Sequence, residues 1–205
     1  MDLDLKTALL VIDLQNDSLP TGFYPVWNME EIVRNVAQLV EASRSHNIPI
    51  IFTKHTYRSD GIDAALGEPK DSHGRPKAYI KGTTGWEIVN GLAPRPADVV
   101  IEKTRWSAFY CSPLEVMLRG LGIQQLIVTG VVTDGCVQTT VYDAFFRDYP
   151  VVLVKDACGA YNRECHEAAV LNMVNWVYGL TVLSTQDLLR ALDKQPYRAT
   201  VYREP

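Results

Sequence analysis

The sequence predicts an α/β fold of three layers, α/β/α, built on a six-stranded, mostly parallel sheet. Two observations predict it. Short apolar runs alternate with longer amphipathic stretches along the chain. The apolar runs are continuous rather than alternating with polar residues, as in strands covered on both faces. Strand followed by helix, repeated, argues for a parallel sheet sandwiched by helices.

The first strand is read over Ala8 to Ile12. The second runs from Ile48 to Phe52, with Pro49 at its start, where a missing N–H is tolerated. Val99 to Ile101, Leu126 to Val128, Val151 to Val154 and Leu180 to Leu183 give the other four. Between them, Met29 to His46 carries Ile32, Val33, Val36, Leu39 and Val40 at helical spacing. Ser112 reads as a helix cap and Pro113 as the first helical position. Leu114, Met117, Leu118 and Leu121 then share one face, and Gly122 stops the helix. Val137 to Phe146, Glu164 to Val177 and Thr185 to Leu192 complete the helices.

Tyr57 to Gly85 breaks the pattern. It is rich in Gly, Pro, Lys and Asp and reads as an excursion over one end of the sheet. Long irregular loops in compact domains are usually functional or mobile. The tail from Lys194 to Pro205 reads either as an arm on a neighbour or as disordered. The whole chain, 1–205, reads as one domain, since 205 residues fit one.

Composition excludes several classes of function. A formal net charge of −4 leaves no basic patch for nucleic acid. Lys and Arg are scattered, which argues against an anionic membrane surface. The N-terminal apolar run ends at Asp13, too early for a membrane span, and it lacks signal-peptide flanks. A cytoplasmic protein is expected, with Cys111, Cys136, Cys158 and Cys165 as reduced thiols. No C-x-x-C pair and no zinc-like Cys/His spacing occurs. His46, His55, His73 and His166 show no tight ligand spacing, so neither metal nor cofactor is expected. His46 and His166 read as solvated. His55 is the histidine on the functional rim.

Ligands of open α/β sheets bind outside the carboxyl ends of the strands. Those ends carry Asp13, Lys54-His55, Glu102-Lys103, Gly130 to Cys136 and Lys155-Asp156. Polar residues at strand ends are common, because they meet water, so the set weighs more than any member. Cys136 follows a strand and a Gly-containing turn and opens a helix. Free N–H groups and partial positive charge there favour a thiolate nucleophile and suit an oxyanion. A buried packing cysteine is the competing reading. By the same test Cys158 and Cys165 read as structural. Gly130 to Gly135 is not a phosphate loop, because Cys-Val follows instead of Lys-Ser or Lys-Thr. Asp13 ends an apolar run, so its carboxylate is partly desolvated, which suits a general base. Lys103 either holds that carboxylate in place or polarises a substrate, with an ordinary rim salt bridge as the competing reading.

Three segments carry a resemblance. They are Val11-Ile12-Asp13-Leu14-Gln15-Asn16, Ile101-Glu102-Lys103 through Ser107-Ala108-Phe109, and Thr129-Gly130-Val131-Val132-Thr133-Asp134-Gly135-Cys136-Val137. In order and spacing they resemble the signature blocks of the isochorismatase-like hydrolase superfamily. The resemblance runs from about Thr7 to Leu192. It implies a triad of Asp13, Lys103 and Cys136. It implies an oxyanion hole from the backbone N–H groups of Val132 and Cys136, and a cis peptide between Val131 and Val132. Nicotinamidases of the superfamily carry D-x-H-x-x-x-H after the second strand, and Thr53-Lys54-His55-Thr56-Tyr57-Arg58 lacks it. The presence of the cysteine favours amide over vinyl ether hydrolysis. Trp106 to Tyr110 and Phe145 to Tyr149 are similar to segments of ureidoacrylate, biuret and N-carbamoylsarcosine amidohydrolases. Cys111-Ser112 departs from the Gly-Thr often found there and puts a second thiol near the pocket.

The activity implied is hydrolysis of a C–N bond in a small amide, carbamoyl or ureido compound through a thioester. Isochorismatase-type ether hydrolysis and a non-catalytic binding role are the alternatives. Gln15, Phe23, Tyr24, Trp86, Trp106 and Tyr110 flank the blocks and are read as pocket walls, or equally as core. Arg58, Lys70, Arg75, Lys77 and Lys81 of the excursion offer cations for a substrate carboxylate, with surface solvation as the alternative. The resemblance also implies a homo-oligomer, a dimer or tetramer, and the helix from Val170 to Tyr178 is a candidate interface.

Overall fold

A computed structural model describes residues 1–201. Six strands are parallel: β1 (Thr7–Ile12), β2 (Ile50–His55), β3 (Val99–Lys103), β4 (Gln125–Val131), β5 (Val151–Gly159) and β6 (Thr181–Leu183). A short β7 (Thr200–Val201) pairs antiparallel with β6, so the sheet order is β3-β2-β1-β4-β5-β6-β7. The tail from Lys194 therefore folds back on its own sheet as far as Val201. Residues 202–205 of that tail lie outside the described residues.

Side chains alternate across the sheet and bury two cores. Leu9, Val11, Phe52 and Ile127 face α1 (Met29–Ser45) and α5 (Thr185–Leu192). Ala8, Leu10, Ile12, Leu126 and Val128 face α2 (Leu114–Gly120), α3 (Gln138–Phe145) and α4 (Arg163–Trp176). This is the three-layer α/β/α arrangement the sequence predicts. β1, β2 and β4 are buried along their whole length. β3 is not: as the sheet edge it leaves Val100 and Glu102 exposed.

Helix ends follow local chemistry. Ser184 caps α5 by accepting from the Asp187 N–H at 3.1 Å, and Asn162 caps α4 by accepting from the Cys165 N–H at 2.8 Å. Ser112 accepts from the Leu114 N–H at 3.1 Å, and α2 begins at Leu114, one residue beyond Pro113. Gly122 ends α2 with φ +67°, donating to the Arg119 carbonyl while Ile123 donates to Leu118. That paired bond pattern is the Schellman closure, which needs a left-handed residue and so a glycine.

β5 is longer than its apolar run, because a register shift against β4 lets it continue to Gly159. Lys155 and Asp156 therefore sit within the strand, not at its end. Lys155 pairs with Glu167 at 2.7 Å, and Asp156 accepts from the Thr185 N–H at 2.7 Å. Both are structural, contrary to their reading as rim residues.

Candidate active site

Strand order reverses between β1 and β4. Their carboxyl ends therefore open a crevice, the place where open α/β sheets bind ligands. Asp13 leaves β1 with φ +50°. Its carboxylate oxygen Oδ2 meets Lys103 Nζ, from the end of β3, at 2.5 Å. The pair is nearly without solvent contact. Thr53 on β2 donates to Asp13 Oδ1 at 2.6 Å. Lys103 Nζ also donates to the Arg105 carbonyl at 3.1 Å and faces His55 Nδ1 at 3.5 Å. Cys136 is buried and completes the group: its Sγ lies within 4.8 Å of Asp13 and His55 ligand atoms.

β4 delivers Cys136 through an unusual turn. The Val131–Val132 peptide is cis, as the resemblance implies. Thr133–Val137 then form a π-helical turn that runs directly into α3. Such turns are frequent at functional sites. Thr140 fixes this one: it donates to the Cys136 carbonyl at 2.6 Å and accepts from the Ala108 N–H at 2.9 Å. Upstream, Gly130 has φ +109°, and a Cβ there would lie 2.1 Å from the Ile12 carbonyl oxygen. Only glycine lets β4 approach β1 this closely.

Electrostatics correct one sequence expectation. Burial pushes the Cys136 thiol up to about 12; Lys103 pulls it down, and the Asp13 carboxylate pushes it up again. Burial and the adjacent carboxylate thus favour the thiol, against the pull of Lys103 and against the thiolate expected from the helix start. Burial acts most strongly to lower the Lys103 ammonium, but Asp13 and Cys136 together outweigh it and the net shift is upward. His55 is pushed down to about 3 by burial and by Lys103, so its ring is neutral and accepts from Lys103. Asp13, His55 and Cys136 together form the kind of donor set that holds a cation. The Lys103 ammonium already places a positive charge against them.

A cavity of about 920 Å³ opens onto Cys136 and Asp13. Phe23, Tyr24, Trp106 and Tyr110 line it, as the sequence suggests. Gln15 and Trp86 do not. Gln15 is fully buried and clamps the end of β2, exchanging bonds with the His55 backbone at 2.7 and 3.0 Å. Trp86 donates to Thr56 at 2.8 Å and lies under the Lys54 ammonium. Arg58, Lys70, Arg75, Lys77 and Lys81 do not line the cavity either. Arg58 pairs with Asp60, Arg75 with Asp71 and Lys81 with Glu102. The excursion contributes Tyr57, Glu68 and Tyr79 instead, and the cation in the wall is Arg105. Tyr57 and Tyr79 reach the site because the excursion returns on itself, Tyr57 N–H donating to the Tyr79 carbonyl at 2.8 Å.

Three further residues differ from expectation. His166 is buried, not solvated, and its Nδ1 meets Thr133 Oγ1 of the π turn at 2.8 Å. Cys111 is exposed and does not line the cavity. Thr53 joins the site unannounced, because a threonine within an apolar strand reads as packing. All four cysteines are free thiols, and Cys158 is buried in the core.

A doubly wound sheet with Asp, Lys and Cys gathered at its switch point defines an α/β enzyme class that the comparisons make specific. The Isochorismatase domain matches residues 7–187, and the chain belongs to the isochorismatase family. A probable inactive nicotinamidase of Arabidopsis thaliana is 39% identical over 83% of this chain and 89% of its own length. A ureidoacrylate amidohydrolase, RutB, of Acinetobacter baylyi is 32% identical over 82% of this chain and 77% of its own. A crystal structure of an isochorismatase family protein from Desulfovibrio vulgaris superposes with TM-score 0.84 at 32% identity. It covers 92% of this chain and 99% of that one. Among the described residues no helix is long and apolar enough to cross a membrane.

Proposed function

We propose that this chain is a cysteine hydrolase of a C–N bond in a small, non-peptide amide, carbamoyl or ureido compound. The observation that carries the reading is the buried Asp13–Lys103 pair with the Cys136 Sγ within 4.8 Å of the Asp13 carboxylate. Asp13 takes the thiol proton as Sγ attacks the carbonyl carbon. The backbone N–H groups of Val132 and Cys136 receive the oxyanion. Asp13 returns the proton to the leaving nitrogen, and ammonia or an amine departs, leaving a thioester on Cys136. Water, losing its proton to Asp13, then attacks the thioester, and the thiol is restored as the acid is released. Lys103 holds the Asp13 carboxylate in place beside the thiol. The protonated resting thiol fits this order, since nucleophile formation is coupled to the carboxylate beside it.

Similarity to a ureidoacrylate amidohydrolase supports the bond class. Exposed apolar side chains support a homo-oligomer: Leu171 and Trp176 on α4 and Tyr178 just beyond its end. Ammonia release from biuret, ureidoacrylate, N-carbamoylsarcosine, nicotinamide and simple linear amides tests the reading. At least one is hydrolysed, and Cys136→Ala lowers its rate roughly ten-thousand-fold or more. Undiminished turnover by the variant rejects the cysteine mechanism in favour of an ether-type hydrolase using Asp13 alone.

A further inference from the structure

Beyond the reacting group, the cavity has a second pole. Its wall is a continuous series of rings. His55 meets Tyr57 and Tyr79 edge-on at 4.7 and 5.3 Å between centroids. Tyr79 stacks on Tyr24 at 5.8 Å, and Tyr24 meets Phe23 edge-on at 4.8 Å. Glu68 closes the series. Its Oε1 accepts from the Tyr24 hydroxyl at 3.1 Å and its Oε2 from the Tyr57 hydroxyl at 2.9 Å.

The two phenols orient the carboxylate without neutralising it. An ionised carboxylate offers about four acceptor positions, so two remain. Among the described residues no Lys or Arg pairs with Glu68. Arg105, the cation in the wall, spends its Nη1 on the carbonyls of Asp63 and Thr104 at 2.9 and 2.6 Å. Asp134 lines the same cavity. An anionic substrate entering here meets fixed negative charge. A cationic one meets a carboxylate and the faces and edges of aromatic rings, whose faces attract cations.

We infer that Glu68 is a specificity-determining residue. It selects a small amide or ureido compound whose non-reacting end is an ammonium or guanidinium, seated on Glu68 and the tyrosine wall. The inference rests on the amide-hydrolase reading for the reacting end, and on Glu68 alone for the charged end. It separates this chain from relatives acting on carboxylate-bearing ureido acids.

The test uses a pair of amides of one shape and different charge. Betaine amide carries a permanent trimethylammonium group, and 3,3-dimethylbutanamide replaces its nitrogen by carbon. Succinamate supplies the opposite charge. Binding is read by calorimetry on the full-length Cys136→Ala protein, and turnover as ammonia release by the wild type. The cation binds about tenfold or more tightly than its neutral twin, and succinamate binds weakest. Adding Glu68→Gln brings the pair to within about twofold, and sodium chloride narrows the gap in the protein that retains Glu68. Equal binding of the pair with Glu68 present, a preference for succinamate, or a ratio unmoved by Glu68→Gln overturns the inference. A charge preference that Glu68→Gln abolishes, without hydrolysis of any amide, upholds Glu68 and refutes the amidase reading. Cys136-dependent hydrolysis without charge preference does the reverse.

Discussion

At the scale of single residues, the site is governed by one buried ion pair. The Coulomb attraction between Asp13 and Lys103 is strong in a dry site, but the cost of stripping both charges of water offsets most of it. Removing one member exposes that cost. Lys103→Met leaves a buried carboxylate without its cation and lowers stability by about 3–5 kcal/mol. The double variant Asp13→Asn with Lys103→Met recovers part of the loss, because neither charge is then stranded. Urea unfolding of the three variants checks this, and a simple sum of the two single effects contradicts it. The proposed triad, Asp13, Lys103 and Cys136, is legible in the sequence because each residue ends a strand or opens a helix. Thr53, Glu68, Tyr57 and Tyr79 are not. Thr53 sits in an apolar strand like any packing residue, and the other three depend on how the excursion returns, a path no periodicity encodes. The thiol's protonation departs from the sequence reading for a related reason: the helix start is visible in sequence, whereas the depth of burial is not.

At the scale of elements, β4 and the π turn decide where Cys136, the proposed nucleophile, stands. Gly130 permits the approach of β4 to β1, and the Thr133–His166 bond ties the turn to α4. Gly130→Ala must either strain φ +109° or push against the Ile12 carbonyl. It costs about 3 kcal/mol or more and lowers activity through displacement of the turn. A wild-type urea midpoint for that variant rejects this role for Gly130 and β4. Element positions are largely readable, since continuous apolar runs mark buried parallel strands. Their ends are less so. β5 outruns its apolar run through Lys155 and Asp156, whose charges are answered by Glu167 and Thr185 from other elements. His166 reads as solvated because a lone histidine on a helix carries no sign of the threonine it meets.

At the scale of the whole molecule, two cores hold a sheet whose order reverses beside Asp13 and Cys136. Strand order is not readable from one sequence, yet it is what makes the crevice. Leu171 and Trp176 of α4 and Tyr178 just beyond it are exposed, so we expect a dimer or tetramer by light scattering at micromolar concentration. A monomer mass there, unchanged by Trp176→Glu, refutes that expectation. The central claim concerns chemistry and is tested most directly by trapping the intermediate. A substrate that the wild type hydrolyses is mixed with enzyme, quenched in acid, and the protein's intact mass is measured. The mechanism predicts an added acyl or carbamoyl mass that maps to Cys136, and diversion of product to a hydroxamate when hydroxylamine is present. Sustained turnover by a protein whose mass never changes, with no hydroxamate formed, contradicts it.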